Sequence, residues 1–362
     1  MPDPDALLPL VEEAAAALTG PAQAGALARL QAALPGVRRC LEECARAGGA
    51  GRGLRLASAL GRFWWMGGHA PEGWRWLMAF LAMPGPDAGL RARGLTAAAE
   101  VAYARADYPA ARDLNVRALA LWVDRGDERE TAAALNRLGM VAREQREYGP
   151  ANEFHERARA LYDRLDDEWG VAACLNNLGV VAMFAGELAL AGRLHEQALA
   201  LRRKVGDERG VASSLGNLAN VARLSGDPRR AESGHREALA IRERLGDRWG
   251  VAGSKLNLGV VAGLRGEPAE AARLVGEAEA LFREVEDALG LCECLDARAM
   301  LALARGQGAE ASLLFEKAEA TRAAIGAPLP PAFRAEWERL RGGAAESRPE
   351  GDRRLSADDD CH

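Results

Sequence analysis

The sequence predicts an all-α fold, a solenoid of stacked helix hairpins, and three observations carry that reading. The first is internal repetition: residues 175–182 read LNNLGVVA and residues 255–262 read KLNLGVVA. The second is register. At a spacing of forty residues, Ala111, Ala151, Ala191, Ala231, Ala271 and Ala311 fall in one column, and Ala118, Ala158, Ala198, Ala238, Ala278 and Ala318 in another. Two further columns run from Ala102 to Ala302 and from Ala120 to Ala320. The third is periodicity within each unit. Leu175, Leu178, Gly179 and Ala182 share one helix face, and Leu188, Ala191, Leu194, Ala198 and Leu201 share a second. A single hairpin buries too little apolar surface alone, so neighbours must stack on it. Alanine recurs where two helix backbones approach, because a larger side chain would overpack the contact by roughly 1–3 kcal/mol.

Taken in order, residues 1–53 read as a helical segment that ends in a linker. Residues 5–47 are helical, with Pro21 opening a helix and Pro35-Gly36 interrupting it. Gly48–Gly53 (GGAGRG) reads as a flexible joint. It is no phosphate loop, since no Gly-Lys dipeptide occurs in the chain and no strand pattern precedes it. The array itself is expected over 54–326. Residues 54–83 form a divergent helix pair rich in aromatics (Phe63, Trp64, Trp65, Trp74, Trp76, Phe80), expected to cap the end of the stack. Six regular units follow at 91–127, 130–167, 170–207, 210–247, 250–287 and 290–326. A capping helix is expected at 327–341, with Phe333, Trp337 and Leu340 on one face, and the polar tail 342–362 is expected to be disordered.

Composition excludes several classes. Net charge is −5, which gives no electrostatic case for nucleic acid or an anionic membrane surface. Only Lys204, Lys255 and Lys317 are lysines among the 47 basic residues, a bias that goes with the richness in Ala and Gly rather than with phosphate binding. The start, MPDPDALLPLVEE, lacks the basic region and apolar core of a signal peptide. No uninterrupted apolar run reaches the ~18–20 residues of a membrane span. The six cysteines (Cys40, Cys44, Cys174, Cys292, Cys294, Cys361) match neither a zinc knuckle nor a disulfide scaffold. Reduced, packed thiols and a cytoplasmic location are expected, with no cofactor and no membrane.

Within one unit, Leu178-Gly179 in the first helix, Gly186 at the turn, and Ala191 and Ala198 in the second helix resemble the tetratricopeptide repeat family. That resemblance implies a right-handed α-solenoid whose first helices line a concave groove that binds peptides or proteins. The units exceed the family's usual length and no Pro ends the second helix, so a longer turn between units is expected. LVEEAAAALTGPAQAGALARLQ and GLRLASALGRFWWMGGHAPEGWRWL further resemble the start of the repeat arm in bacterial signal-transduction ATPase regulators of the LuxR-like type. PGVRRCL departs from that pattern, and the chain has neither a Walker A motif nor a basic recognition helix. This resemblance implies a detached sensor or scaffold arm, with a small-molecule inducer as the alternative ligand and no direct contact with nucleic acid.

His155, His195 and His235 occupy one column. Equivalent positions on stacked helices lie about 8–10 Å apart, too far to share an ion whose bonds are about 2.0–2.1 Å. Buried, hydrogen-bonded structural histidines are expected, and His155-Glu156 and His195-Glu196 fail to complete HExxH because Arg159 and Leu199 close them. No nucleophile–base pair is legible, so the reading is non-enzymatic. Asn136, Asn176, Asn177, Asn217, Asn220 and Asn257 interrupt apolar first helices, where asparagine is a mediocre helix former. They either tie one unit to the next or present amides to a ligand backbone. Arg143 and Arg223 share a column one to two turns beyond an asparagine and are candidates for acidic ligand groups, or are solvated charges. The expected partner is a protein or peptide; self-association through the ends of the array is the structural rival.

Overall fold

The computed structural model describes residues 4–19, 23–285 and 287–325. The helix start at Pro21, the capping helix at 327–341 and the tail at 342–362 lie outside the described residues. The helices are α1 (Pro4–Ala16, followed by a short 3-10 turn), α2 (Gln23–Arg46), α3 (Ala50–Ala59), α4 (Gly61–Met66), α5 (Ala70–Ala82), α6 (Ala88–Ala104), α7 (Tyr108–Asp124), α8 (Glu128–Glu144) and α9 (Tyr148–Arg164). Then come α10 (Glu168–Ala185), α11 (Leu188–Lys204), α12 (Glu208–Leu224), α13 (Pro228–Arg244), α14 (Arg248–Leu264), α15 (Pro268–Glu284), α16 (Ala288–Ala304) and α17 (Gly308–Ile325). No strand occurs among the described residues. The fold is an all-α solenoid of helix hairpins.

From α6 onward the helices pair as hairpins, α6 with α7 through α16 with α17. Nearly all are 17 residues long, joined by three-residue turns both within and between hairpins, and this makes the forty-residue period. The longer inter-unit turn expected from the sequence is therefore absent here; the extra length lies in the helices. The turns between hairpins follow one pattern. Its middle residue is left-handed (φ 69° at Gly126, 71° at Gly206), which is why glycine dominates that position. The next N–H reaches back to the helix it has left, Asp127 to the Trp122 carbonyl at 3.0 Å and Asp207 to the Arg202 carbonyl at 2.9 Å. The same aspartate then caps the following helix, Asp127 accepting from the Glu130 N–H and Asp207 from the Gly210 N–H. A Gly-Asp pair thus ends one helix and starts the next.

Two compact units, residues 1–178 and 179–362, divide the chain, with the boundary inside α10. In the first, one core runs from Leu7 and Val11 through Trp64, Leu77 and Phe80 to Leu95, Ala98 and Trp122. Each large buried side chain contributes roughly 1.5–3 kcal/mol. In the second, each hairpin packs on the next, as in the cluster of Leu256, Val275, Phe282, Cys294 and Leu301. Glycines at the starts of first helices receive large side chains from the preceding hairpin: Tyr162 at Gly170, Arg202 at Gly210, Arg242 at Gly250 and Phe282 at Gly290.

The N-terminal region corrects three expectations. Residues 50–53 belong to α3 and are no joint, because a Cβ on Gly53 would stand 2.3 Å from the Phe80 ring; only Gly48-Gly49 makes the turn. Helix α2 runs unbroken through Pro35. The roughly 3 kcal/mol that an interior proline costs is outweighed by Leu30, Leu34, Val37 and Leu41, all buried. The aromatic segment, built as α3, α4 and α5, covers α6 but is itself covered by α1 and α2, so it is an inner layer and not the end. Helix α10 is the one described helix long and apolar enough to cross a membrane, with mean hydropathy 1.2 over 18 residues, although no such run was expected. Half of it is buried, Cys174 against Ala158 and Tyr162, and Met183 against Ala191 and Leu194.

Candidate functional site

The face that matters is set by how hairpins stack. In the second unit α12 touches α14 and α14 touches α16, so first helices approach their neighbours directly. The first helices α12, α14 and α16 therefore lie side by side and share one face of the second unit. In the first unit α8 is linked to α6 and α10 by side chains on the corresponding face.

There, Asn136 is a hub of the stack. Its Oδ1 accepts from His155 Nδ1 at 2.7 Å, from Asn177 Nδ2 on α10 at 3.0 Å, and from the Cys174 thiol at 3.8 Å. Arg143 donates to the Tyr103 hydroxyl at 3.2 Å and is ion-paired with Glu144, whose carboxylate also accepts from Tyr103 at 2.8 Å. Burial opposes the Arg143 charge, but Tyr103 and Glu144 more than offset it, so its pKa stands above the usual arginine value. Burial likewise pushes the Tyr103 phenol far above its usual range. Arg143 is thus an internal tie between α6 and α8, neither a solvated charge nor an open cation. Tyr103 and Glu144 escaped the sequence reading, although Tyr103 stands in the Arg143 column one unit earlier.

In the second unit Asn257 donates to the Gly253 carbonyl of its own helix at 2.9 Å. Asn217 and Asn220 are half-buried, as is Asn176 in the first unit. The Asn220 carbonyl oxygen is buried and makes no hydrogen bond. Arg223 is buried, and its charge reaches His235. The eight predicted residues are thereby divided. Asn136, Asn177 and Arg143 bond between helices, Asn257 bonds to its own helix, Asn176 is half-buried on α10, and Asn217, Asn220 and Arg223 lie on one stretch of α12.

All three column histidines are buried, but only His155 is hydrogen-bonded as expected. Both ring nitrogens of His195 and of His235 lack partners. Burial first, and nearby arginines second, hold His155 at about 3, His195 at about 4 and His235 at about 3. All are neutral at pH 7. The rings fill space left by small residues, His155 over Gly139 and His195 over Gly179. Among the described residues no group of three or more His, Cys, Asp or Glu is placed to hold a metal ion. Cys40 and Cys44 are buried, and burial pushes the Cys44 thiol up to about 11. A cavity of about 170 Å³ lies between α13, α14 and α15, floored by Leu239, Leu258 and Leu274 and rimmed by Glu232, Arg236, Glu270 and Arg273.

The tetratricopeptide repeat profile matches residues 90–164 and 171–244. These segments span α6 to α9 and α10 to α13, so four of the hairpins match tetratricopeptide repeats. Three solved structures share the fold. A Rap protein complexed with Competence and Sporulation Factor is 14% identical, with a TM-score of 0.62, covering 96% of this chain and 100% of that one. Aspartyl phosphate phosphatase F from Bacillus subtilis is 14% identical, with a TM-score of 0.63, covering 78% and 74%. The Rap conjugation gene regulator of plasmid pLS20 in complex with the Phr* peptide is 16% identical, with a TM-score of 0.56, covering 75% and 77%. No curated protein matches the chain in sequence.

Proposed function

We propose that this tetratricopeptide array is a non-catalytic scaffold that holds an extended segment of a partner protein along the groove of its first helices. The observation that carries the reading is the cluster on α12. Asn220 has a carbonyl oxygen without a hydrogen bond, beside the half-buried Asn217 and the charged Arg223. A side-chain amide can both donate to and accept from a peptide backbone, and each such bond contributes roughly 0.5–1.5 kcal/mol. Two of the similar structures are of Rap proteins bound to a factor or a peptide, which supports an extended ligand. The proposed site is narrower than the sequence reading, because Asn136 and Asn177 bond to each other across the stack and Asn257 bonds to its own helix.

The rival, an inducer-sensing arm of an ATPase regulator system, needs an apolar pocket in the groove. The cavity between α13, α14 and α15 measures about 170 Å³ and is lined by five charged side chains, Glu267 among them, below the roughly 300–1,000 Å³ of typical ligand sites. A peptide is the better occupant. The test is a partner recovered by crosslinking from native cytoplasm, with its affinity then measured for wild type and for Asn217→Ala with Asn220→Ala. Weaker binding by a fully helical double variant supports the reading; unchanged affinity removes α12 from the site.

A further inference from the structure

The three buried histidines occupy equivalent places but do not have equivalent neighbours. His155 Nδ1 meets Asn136 Oδ1 at 2.7 Å. In the hairpin of α12 and α13, which carries His235, the column of Asn136 holds Gly216. A Cβ on Gly216 would meet only the Arg242 guanidinium, at 3.6 and 3.9 Å, and no other atom within 4 Å beyond its own helix. His235 is 1% exposed, with neither ring nitrogen hydrogen-bonded. His235 and Arg242 lie seven residues apart on α13, so both face α12. Gly216 brings no side-chain acceptor to this place, and the His235 ring nitrogens stand unbonded.

We propose that the space over Gly216 is a binding site for a carboxylate, held by the Arg242 guanidinium and a ring N–H of His235. Charge favours an anion over a neutral group. Arg223 and Arg242 both bear on His235, with Asp247 opposing at Arg242 and Glu293 at Arg223. Arg242 spends Nη1 on the Gly250 carbonyl and the Ser254 hydroxyl, leaving its Nη2 edge toward Gly216. A planar carboxylate matches a guanidinium edge and a second donor at once. Asn220, one turn along α12, has an unbonded carbonyl oxygen; half a turn of that amide would offer its NH2 to the same space. The carboxylate is either a free small anion or an Asp or Glu side chain of a docked segment, and this inference stands without the peptide reading.

The experiment titrates sodium formate into the full chain at constant ionic strength, replacing chloride. The His235 ring protons are followed by NMR and the melting temperature is recorded. Wild type is expected to show a saturable shift at His235, none at His155, and a rising melting temperature. Gly216→Asn supplies the acceptor as Asn136 does; it should melt higher in chloride and bind formate weaker by about tenfold or more. A parallel titration with acetyl-Gly-Asp-Gly-amide separates the sources. Saturable binding lost in Gly216→Asn means a partner side chain, and a response to formate alone means a free anion. No saturable response to either probe in wild type overturns the proposal, as does an equal response in Gly216→Asn, and either result leaves the space to water. Should Gly216→Asn fail to fold by circular dichroism, the wild-type titrations still decide.

Discussion

Arg202 Nη1 donates to the Ser214 hydroxyl at 2.8 Å across the junction between two hairpins, and Arg242 makes the equivalent bond to Ser254 at 2.7 Å. The same two columns hold Tyr162 with Cys174, and Phe282 with Cys294, packed as apolar pairs. A guanidinium from one hairpin is met by a hydroxyl in the next; an aromatic ring is met by a thiol. The columns change together because a buried N–H must be paired, whereas a ring needs only a close, weakly polar neighbour. Ser214→Ala should therefore cost about 1–3 kcal/mol. Arg202→Phe combined with Ser214→Cys should recover most of that loss, measured by urea unfolding in a double-mutant cycle. Strict additivity of the two changes would contradict the coupling.

Gly53 distinguishes a packed helix from a flexible joint. Its missing Cβ makes room for Phe80, so Gly53→Ala should destabilise the chain by about 1–3 kcal/mol despite the better helix propensity of alanine. A thermal melt at or above wild type would restore the linker reading.

Acid should weaken the stack through its histidines. Folded His155, His195 and His235 hold values of about 3, 4 and 3, below the ordinary 6.5, because burial disfavours the charged ring. The unfolded chain takes up protons that the folded chain refuses. The stabilisation is complete above pH 6.5 and is lost as pH falls toward 4. Each histidine accounts for about 2 kcal/mol between pH 6.5 and 5. His195→Phe should lose less stability than wild type over that window, by about this amount, in urea unfolding at both pH values. Identical losses would mean that His195 is not held neutral.

Asn136 and Asn220 should part company. Asn136→Ala removes the acceptor of His155 and Asn177 and should lower stability by about 1–3 kcal/mol. Asn220→Ala removes an amide whose oxygen bonds to nothing and should leave stability unchanged or slightly raised. Paired denaturation curves check both.

The repeat, its register and the two helix faces were legible because alanine and glycine mark every close backbone approach. The length of the turns was not legible: a longer one was expected between units, where a left-handed residue and a capping carboxylate close it in three residues. Gly53 was misread because a glycine that admits Phe80 looks the same in sequence as one that frees the chain. Asn136 and Asn220 were indistinguishable for a similar reason. Both are polar residues in apolar helices, and only the presence of a partner, His155 for Asn136 and none for the Asn220 oxygen, tells them apart.

The central claim, that the first helices form the binding face, is tested most directly by hydrogen exchange on the chain with and without its crosslink-identified partner. Binding should slow exchange on α12 around Asn217–Arg223 and on the neighbouring first helices α10 and α14, while α11, α13 and α15 stay unchanged. Protection confined to the second helices, or appearing without partner at the ends of the array as self-association would produce, contradicts it.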